Sequence, residues 1–289
     1  MTYGRSAVDI DYRRWLDQLA VARRGSRIGT AALIDDASRA RAAAAMSSGA
    51  SVPLARPLTH PGFEVEVTYT DGPVGMGADE VTFACHGRSN THLDALNHIA
   101  LDGTWHGGWS VRDPDAPTVV DLAAHGLVTR GVLVDIPSVR ATPWVDADAP
   151  VQADDIERAL ATTGTRFEPG DALLLYMGRD RFEAAGNELA GLRDAVTVPG
   201  VGRSAAEWII DRGVSILCWD FLDSNHPSEP FACVHLLVWA AGLVLVDNCE
   251  LSAAATHQRA RGVADGALVV APIAVPGGTG SVVHPFLLT

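Results

Sequence analysis

The most informative absence in this 289-residue sequence is lysine. All 22 basic residues are arginine, so the chain cannot form a lysine Schiff base, carry the lysine of a phosphate-binding loop or use a lysine as a general base. Basic residues are also in the minority, because 35 acidic residues give a formal net charge of −13. Such an acidic chain is repelled by the phosphate backbone, which argues against a nucleic-acid partner.

Cysteines and long apolar runs are also scarce. The four cysteines form no CxxC pair, so neither a disulfide framework nor a zinc ribbon is expected. The longest apolar run, residues 234–246, is too short to span a membrane, and the N-terminus has no apolar signal segment. We therefore expect a soluble, cytoplasmic protein with no membrane partner.

Helix and strand patterns alternate along the chain. Amphipathic or alanine-rich patterns predict helices over residues 8–22, 35–48, 153–162 and 203–212. Apolar or alternating patterns predict strands over residues 63–69, 80–85, 131–136, 171–176, 214–219 and 234–246. The first of these strands has the alternation of a half-buried strand, whereas 171–176 and 214–219 are apolar throughout, like strands covered on both faces. We expect one α/β domain with N-terminal helices packed on it.

Side chains that bind metals are concentrated in residues 86–106, which contain four of the ten histidines. His92 and Asp94 are two residues apart, so on an extended segment both side chains point to one side and can bind the same ion. His98 follows four residues after Asp94, and a helical turn there would bring it back over the site. Imidazole and carboxylate ligands suit Zn²⁺, Mn²⁺ or Fe²⁺.

A second pair of polar residues lies at the two ends of an apolar segment. His235 opens this segment and Asp247 closes it. Both need partners if they are buried, because an unpaired buried carboxylate is costly. Taken alone, the segment favours a hydrogen-bonded core histidine and a turn aspartate. Asp220 and Asp223, near the end of a predicted strand, are likewise interpreted as turn residues.

The segment THLDALNH (91–98), followed by an Asp-Gly pair, resembles the signature of the metal-dependent cyclase family. That family includes bacterial kynurenine formamidases, isatin hydrolases and a dienelactone hydrolase. Further segments are similar to the family in the same order, at 23–58, 130–136, 168–179, 204–220 and 235–255. The resemblance implies an α/β fold of the swivelling β/β/α type, in a single domain with a mixed sheet and N-terminal helices. We divide this domain into an N-terminal helical segment (1–58), a core (59–255) and a C-terminal extension (256–289).

The resemblance also assigns roles to individual residues. It implies that His92 and Asp94 are metal ligands, that His98 is the catalytic histidine, and that His235 and Asp247 are the distal histidine and acid. Asp247 stands where the family usually has glutamate, which weakens the case for a second metal ion.

One ligand position departs from the family pattern. Formamidases have a ligand histidine four residues before His92, but that position here is Arg88, which cannot bind a cation. His86 lies six residues before His92 and would need a two-residue bulge to reach the metal. Otherwise the set of ligands is smaller than in formamidases, and Arg88 instead suits a substrate carboxylate as a planar bidentate donor.

The implied activity is hydrolysis of an amide, lactone or ester bond in a small cyclic or aromatic substrate. Zinc or manganese would activate water, and His98 would transfer protons. Trp105 and Trp109 suit the wall of a pocket for a flat substrate, although a surface loop covered by core tryptophans is an equal alternative. The resemblance further implies a homodimer or homotetramer.

Other functions fit parts of the same sequence. His92, Asp94 and His235 also match the 2-His-1-carboxylate triad of non-haem iron oxygenases, but the arginine expected soon after the distal histidine in the oxoglutarate-dependent members is missing. A non-catalytic metal-binding or ligand-binding relative would explain the departures from the family pattern. A serine hydrolase is disfavoured because no GxSxG elbow is present, and residues 200–205 (GVGRSA) predict a helix start rather than a dinucleotide site.

Overall fold

The computed structural model describes residues 10–19, 26–59, 62–189, 198–224, 226, 228–229 and 232–289. The strands in these ranges are β1 (Ser51–Pro53), β2 (Phe63–Thr70), β3 (Met76–Phe83), β4 (His92–Asp94), β5 (Leu127–Asp135), β6 (Ala172–Tyr176), β7 (Ile216–Trp219), β8 (Val244–Asp247), β9 (Asp265–Val270), β10 (Gly280–Val282) and β11 (Phe286–Leu288). The large sheet has the order β1-β11-β9-β5-β6-β7-β8-β4-β10. Strands β5 to β8 run parallel, and the flanking pairs are antiparallel. The predicted mixed sheet is therefore confirmed, and the two terminal segments contribute β1, β9, β10 and β11 to it.

The helices lie on both faces of this sheet. In the described part of the chain they are α1 (Ile10–Leu19), α2 (Asp36–Ala45), α3 (Val119–His125), α4 (Ile136–Arg140), α5 (Ala153–Thr163), α6 (Arg179–Ala184), α7 (Arg203–Asp211), α8 (His235–Ala241) and α9 (Ser252–Arg261). The predicted helices are confirmed by α1, α2, α5 and α7, apart from residues 8–9 and 20–22, which lie outside the described residues. Asp35 caps α2 by accepting a hydrogen bond from the Ser38 backbone N–H at 2.8 Å.

The parallel strands are buried on both faces, as their continuous apolar sequences predict. Leu173 and Leu175 of β6 belong to one apolar cluster, and Leu174 and Tyr176 belong to the cluster on the opposite face. This alternation shows that helices cover both sides of the sheet centre, so the carboxyl ends of β5 to β8 form one polar edge within the fold.

The strand predicted over residues 234–246 is wrong in its first half. The chain forms α8 there, reverses at Gly242 and continues as β8. Gly242 has a positive φ of 69°, and a Cβ atom added to it would lie 2.7 Å from Nε2 of His106. A continuous apolar run has no periodicity that separates a buried helix from a buried strand, so only this glycine marks the boundary.

The strand predicted over residues 63–69 is confirmed, but it is not half-buried. Strands β2 and β3 form a separate two-stranded sheet whose side chains are almost all exposed. The alternation places Val65, Val67 and Tyr69 on one face, and these side chains are 48%, 43% and 78% exposed.

The described residues contain no helix that is both long enough and apolar enough to cross a bilayer.

Candidate metal centre

The centre forms where β4 pairs with the carboxyl end of β8. In this antiparallel pair His92 lies opposite Asp247, and Asp94 lies opposite Leu245. His92 and Asp94 share one face of β4 because side chains alternate along a strand, and Leu93 between them joins the apolar cluster on the other face. Helix α8 begins with His235 on the side of the sheet that His92 and Asp94 face. The sheet register thus brings together residues that lie far apart in the sequence.

Asp94 lies at the middle of this group, and its side chain is fully buried. Its Oδ1 atom is 2.9 Å from Nδ1 of His86 and 3.6 Å from Nε2 of His92. Its Oδ2 atom is 3.7 Å from Nε2 of His98 and 3.8 Å from Nε2 of His235. Among the described residues, no group donates a hydrogen bond to this buried Oδ2 atom. Four imidazole rings therefore surround one carboxylate, and one of its oxygens accepts no hydrogen bond from the part of the chain that the structure describes.

The surroundings of Asp94 favour its charged form. Burial raises the pKa of this carboxyl, but the hydrogen bond from His86 and the nearby His98, His92 and His235 outweigh burial and hold the pKa well below its ordinary value. Asp94 is thus ionised at neutral pH, the form in which a carboxylate can bind a metal ion.

The distal residues His235 and Asp247 are in contact with each other and with the first motif. Nε2 of His235 is 3.1 Å from Oδ2 of Asp247, and Nε2 of His92 is 3.8 Å from the same oxygen. The indole N–H of Trp219 donates to Oδ1 of Asp247. Nδ1 of His235 donates to Asp223. Burial lowers the pKa of His235, but the carboxylates of Asp223 and Asp247 raise it well above its ordinary value.

Hydrogen bonds to the backbone fix the orientation of His92. Its Nδ1 donates to the Asn90 carbonyl oxygen at 2.9 Å, so the neutral ring keeps a lone pair on Nε2, which faces Asp94 and Asp247. Asn248 supports the same loop by donating from Nδ2 to the carbonyl oxygens of Asn90 at 3.0 Å and Gly87 at 2.7 Å.

Two sets of three donors have the spacing that a metal ion requires. Their ligand atoms lie within 4.8 Å of one another, and the sets are His86, His92 and Asp94, and Asp94, His235 and Asp247. Nitrogen and carboxylate donors of this kind suit a divalent cation such as Zn²⁺ or Mn²⁺. The buried Asp94 oxygen without a hydrogen bond and the second buried carboxylate, Asp247, both fit a bound cation, which would offset their negative charge.

His86 and Arg88, which precede His92 in the same loop, have different hydrogen-bond partners. His86 reaches Asp94, which agrees with the first of the two alternatives for this residue, and its Nε2 pairs with Oγ1 of Thr279 at 2.9 Å. Nη1 of Arg88 donates to the Leu189 carbonyl oxygen at 3.2 Å. His86 therefore lies within reach of the same group of side chains as His92 and Asp94, and its role as a metal ligand stays a prediction.

His98 lies beside the ligands but belongs to neither set of three donors. Its ring stacks on His86 with centroids 3.8 Å apart and an interplanar angle of 12°. Burial lowers the pKa of His98 to about 4, even though Asp94 and Asp247 oppose this effect. The ring of His98 is therefore neutral at pH 7.

Trp105 and Trp109 lie on either side of the short 3₁₀ turn His106–Gly108, and both are half-buried. The Trp109 ring lies 5.7 Å from the guanidinium carbon of Arg27. Their role as walls of a substrate pocket stays a prediction.

Three residues that contact these side chains were not identified from the sequence. Trp219 and Asp223 follow each other closely at the end of β7, and Asn248 comes directly after β8. The position of Asp223 near the end of a strand predicts only a turn residue, and no spacing rule connects it to His235, which lies twelve positions away. Asp223 and Asn248 could be identified as candidates because each is a polar residue just beyond a buried parallel strand, where ligand sites form.

Comparison with known proteins agrees with this fold. The family model "Putative cyclase" matches residues 30–226, well over half of the chain. The chain belongs to this cyclase family. The predicted family and α/β fold are thereby confirmed. No curated protein matches the chain significantly.

Solved structures share the whole fold at low sequence identity. A protein solved as a novel cyclase is 19% identical, with a TM-score of 0.81 over 96% of this chain and 98% of its own. Isatin hydrolase A from Labrenzia aggregata, bound to benzyl benzoate, is 17% identical, with a TM-score of 0.61 over 86% and 99%. Isatin hydrolase A from Ralstonia solanacearum is 18% identical, with a TM-score of 0.57 over 82% and 90%. At these identities the similarity establishes the fold alone.

Proposed function

We propose that this cyclase-family protein is a metal-dependent hydrolase that cleaves an amide, lactone or ester bond in a small cyclic or aromatic substrate. The observation that carries the proposal is the environment of Asp94: a buried carboxylate with one oxygen that accepts no hydrogen bond from the described residues, surrounded by four histidine rings. The isatin hydrolases among the structural neighbours support a hydrolase of this class.

The ligands of the cation would come from the two sets of donors that share Asp94. A divalent cation bound there would polarise a carbonyl group of the substrate and lower the pKa of a bound water toward neutrality. Asn90 and Asp223 keep the Nε2 atoms of His92 and His235 facing inward, because each accepts a hydrogen bond from the opposite ring nitrogen. The chain therefore directs both Nε2 atoms and the carboxylate oxygens of Asp94 and Asp247 to one region, and a bound cation would replace the proton on Nε2 of His235.

His98 is suited to proton transfer. Its ring is neutral at pH 7, so Nε2 can accept a proton from the attacking water and donate it to the leaving group. Nε2 lies 3.7 Å from Oδ2 of Asp94, which holds a transferred proton close to a negative charge. His98 thus acts as the proton carrier while other residues hold the cation.

The test of the proposal is elemental analysis of protein purified without chelators. We expect about one equivalent of zinc or manganese, retained in His284→Ala, whose ring is exposed, and lost in the His92→Ala, Asp94→Ala double variant. The metal-loaded and metal-depleted proteins are then compared on a panel of aryl formamides, cyclic amides and lactones. Iron in place of zinc or manganese would favour the oxygenase, and absence of metal after reconstitution would contradict the hydrolase.

A further inference from the structure

Asn248 lies where the two sets of metal donors meet in the chain fold. It directly follows Asp247 at the end of β8, and it is fully buried. Its φ of 55° falls in the left-handed region, which asparagine adopts more readily than most residues other than glycine. Its backbone carbonyl oxygen accepts a hydrogen bond from Oγ1 of Thr91 at 2.7 Å. The main chain of Asn248 is thus attached to the residue that precedes His92.

The side chain of Asn248 is attached to the same loop. Its Nδ2 donates to the carbonyl oxygens of Gly87 at 2.7 Å and Asn90 at 3.0 Å, and its Oδ1 accepts from Nη1 of Arg179 at 2.7 Å. These neighbours fix the orientation of the amide, because the reverse orientation would place its oxygen against two carbonyl oxygens and its NH₂ group against a guanidinium group. The position therefore requires a donor and an acceptor on one short side chain.

Arg179 anchors this arrangement. Its side chain is only 5% exposed, its Nη2 donates to the Arg88 carbonyl oxygen at 2.7 Å, and its Nε donates to Oε1 of Glu183 at 2.7 Å. Its backbone N–H donates to the buried carboxylate of Asp220 at 3.1 Å. The guanidinium group is thus held in place and has acidic neighbours. Together with the adjacent amide, it binds the carbonyl groups of three of the four residues 87–90.

The segment 87–90 connects two of the metal donors. His86 precedes it, and Nδ1 of this ring lies 2.9 Å from Oδ1 of the central carboxylate. His92 follows it, and Nδ1 of this ring donates to the Asn90 carbonyl oxygen at 2.9 Å. That oxygen also accepts the hydrogen bond from Asn248, so one acceptor links the amide to the orientation of His92. A shift of the segment would therefore displace His86 and turn Nε2 of His92.

We propose that Asn248 is a positioning residue that couples the two sets of metal donors. It holds the segment 87–90 against the end of β8 and so keeps His86 and His92 in place relative to Asp247. Asn248 belongs to neither set and acts through these residues. The proposal rests on the proposed function, because it concerns the cation that the hydrolase needs. Residues that orient metal ligands in this way typically change metal affinity about 10- to 100-fold.

The zinc affinity of the full-length protein, measured by competition with a chelating dye, tests the proposal. Asn248→Gly removes the amide without changing the charge, and glycine adopts the left-handed φ without strain. We expect the Kd for Zn²⁺ to rise about 10- to 100-fold. The matched control is Gln258→Ala on α9, which removes another buried amide that donates to a backbone carbonyl oxygen, that of Leu133 at 3.2 Å. Both variants lose a buried hydrogen bond and therefore stability, but only Asn248→Gly should lose zinc affinity.

The variant Asn248→Asp separates the hydrogen bonds from the effect of charge. The carboxylate keeps the size of the amide and accepts the hydrogen bond from Arg179, but it cannot donate to Gly87 or Asn90. Its negative charge alone would attract Zn²⁺ and lower the Kd, whereas loss of the two donated hydrogen bonds should raise it. We expect a higher Kd than in the wild type, and this variant serves if Asn248→Gly does not fold.

A double-mutant cycle tests whether Asn248 acts through the loop that carries His86. His86→Ala and Asn248→Gly are measured singly and together. Since both changes should disturb the same set of donors, we expect the combined rise in the Kd for Zn²⁺ to be smaller than the product of the two single rises.

Each alternative result has a definite meaning. Unchanged zinc affinity in Asn248→Gly, an equal rise of the Kd in Gln258→Ala, tighter zinc binding by Asn248→Asp, or a double variant whose rise equals the product would overturn the proposal. The expected pattern of zinc affinities without hydrolysis of any amide or lactone would refute the hydrolase function and leave the role of Asn248 standing. Absence of zinc binding in the wild type would contradict both.

Discussion

Asp223 and His235 form a hydrogen-bonded pair that orients the distal half of the metal centre. Nδ1 of His235 donates to one carboxylate oxygen of Asp223, and the Val234 backbone N–H donates to the other at 2.7 Å. The carboxylate is therefore fixed to the first turn of α8, and Nε2 of His235 faces Asp247. Carboxylate–histidine pairs of this kind set the tautomer and the direction of a metal-binding ring.

Replacing Asp223 by asparagine is expected to weaken metal binding without removing a ligand. The amide keeps the size of the carboxylate but not its charge. The ring of His235 would therefore be held less firmly in its orientation, and it would be less basic. We expect the Kd for Zn²⁺ or Mn²⁺ to rise about 10- to 100-fold, measured by competition with a chelating dye. The matched control is Asp211→Asn, at an exposed position at the end of α7. Unchanged affinity in Asp223→Asn would show that the pair has no role in metal binding.

Replacing His98 by glutamine is expected to separate catalysis from metal binding. His98 belongs to neither set of three donors, so the metal content should equal that of the wild type. Loss of the proton carrier should lower kcat about 10²- to 10⁴-fold on whichever amide or lactone is hydrolysed. Elemental analysis and steady-state kinetics on the same preparation distinguish the two effects. Loss of metal together with activity would instead make His98 a ligand.

Trp219 contributes a hydrogen bond to the centre as well as packing. Trp219→Phe would leave Oδ1 of Asp247 buried without its donor, at a cost of about 1–3 kcal/mol in the free energy of unfolding. Trp208→Phe is the control, because its indole N–H donates to Glu157, whose side chain is 44% exposed and can be solvated instead. Urea denaturation should show the larger loss for Trp219→Phe. Equal losses would mean that packing alone explains both.

The fold could be predicted from the sequence where periodicity is distinct. The patterns at 153–162 and 203–212 correspond to α5 and α7, and the continuous apolar segments correspond to β6 and β7. The run at 234–246 could not be resolved, because a buried helix and a buried strand are equally apolar. The exposure of β2 and β3 could not be predicted from the sequence either, since alternation defines the two faces of a strand but does not show which residues cover them.

The part of the centre formed by His92, Asp94 and His98 could be predicted more fully than the part formed by His235 and Asp247. His92 and Asp94 share a face by strand geometry alone, and the structure brings both beside His98. The position of His86 depended on a loop conformation, and the sequence left it open. The partners of His235 depend on strand pairing across the sheet, which local spacing does not encode. The metal, the homo-oligomer and the cytoplasmic location stay predictions.

Asp155 is expected to make the stability of the protein depend on acid pH. Burial raises the pKa of this carboxyl, but hydrogen bonds from Arg140 and the Gln152 backbone N–H outweigh burial and lower the pKa. Because the folded-state pKa lies below the unfolded value of 3.8, this stabilisation is present at neutral pH and is lost as the pH falls through the folded-state pKa.

The variant Asp155→Asn tests whether Asp155 causes this dependence of stability on acid pH. It should lower the free energy of unfolding at pH 7 by about 2–3 kcal/mol and flatten its decline below about pH 4, because the ion pair with Arg140 is lost and the amide nitrogen that replaces one carboxylate oxygen cannot accept its hydrogen bonds. Asp154→Asn, in the same helical turn but exposed, is the control. Urea unfolding at a series of pH values gives the free energy of unfolding at pH 7 and its decline at acid pH. If this decline is unchanged in Asp155→Asn, other carboxylates cause the loss of stability in acid.

Gly242 is expected to be indispensable for positioning α8, and Gly164 provides a matched comparison. Both glycines end helices with a left-handed φ, 69° at Gly242 and 65° at Gly164. A Cβ at Gly164 would meet no atom within 4 Å, whereas one at Gly242 would lie 2.8 Å from Cα of Gly29 and 2.7 Å from Nε2 of His106.

Gly164→Ala should therefore cost only the conformational strain of about 1 kcal/mol, measured by urea denaturation. Gly242→Ala should cost about 3 kcal/mol or more, because the backbone around Gly29 must move as well. Helix α8 begins with His235, so displacing its C-terminal end should also weaken metal binding in Gly242→Ala but not in Gly164→Ala. Equal losses of stability with unchanged metal affinity in both variants would show that the close approach at Gly242 does not position the distal ligand.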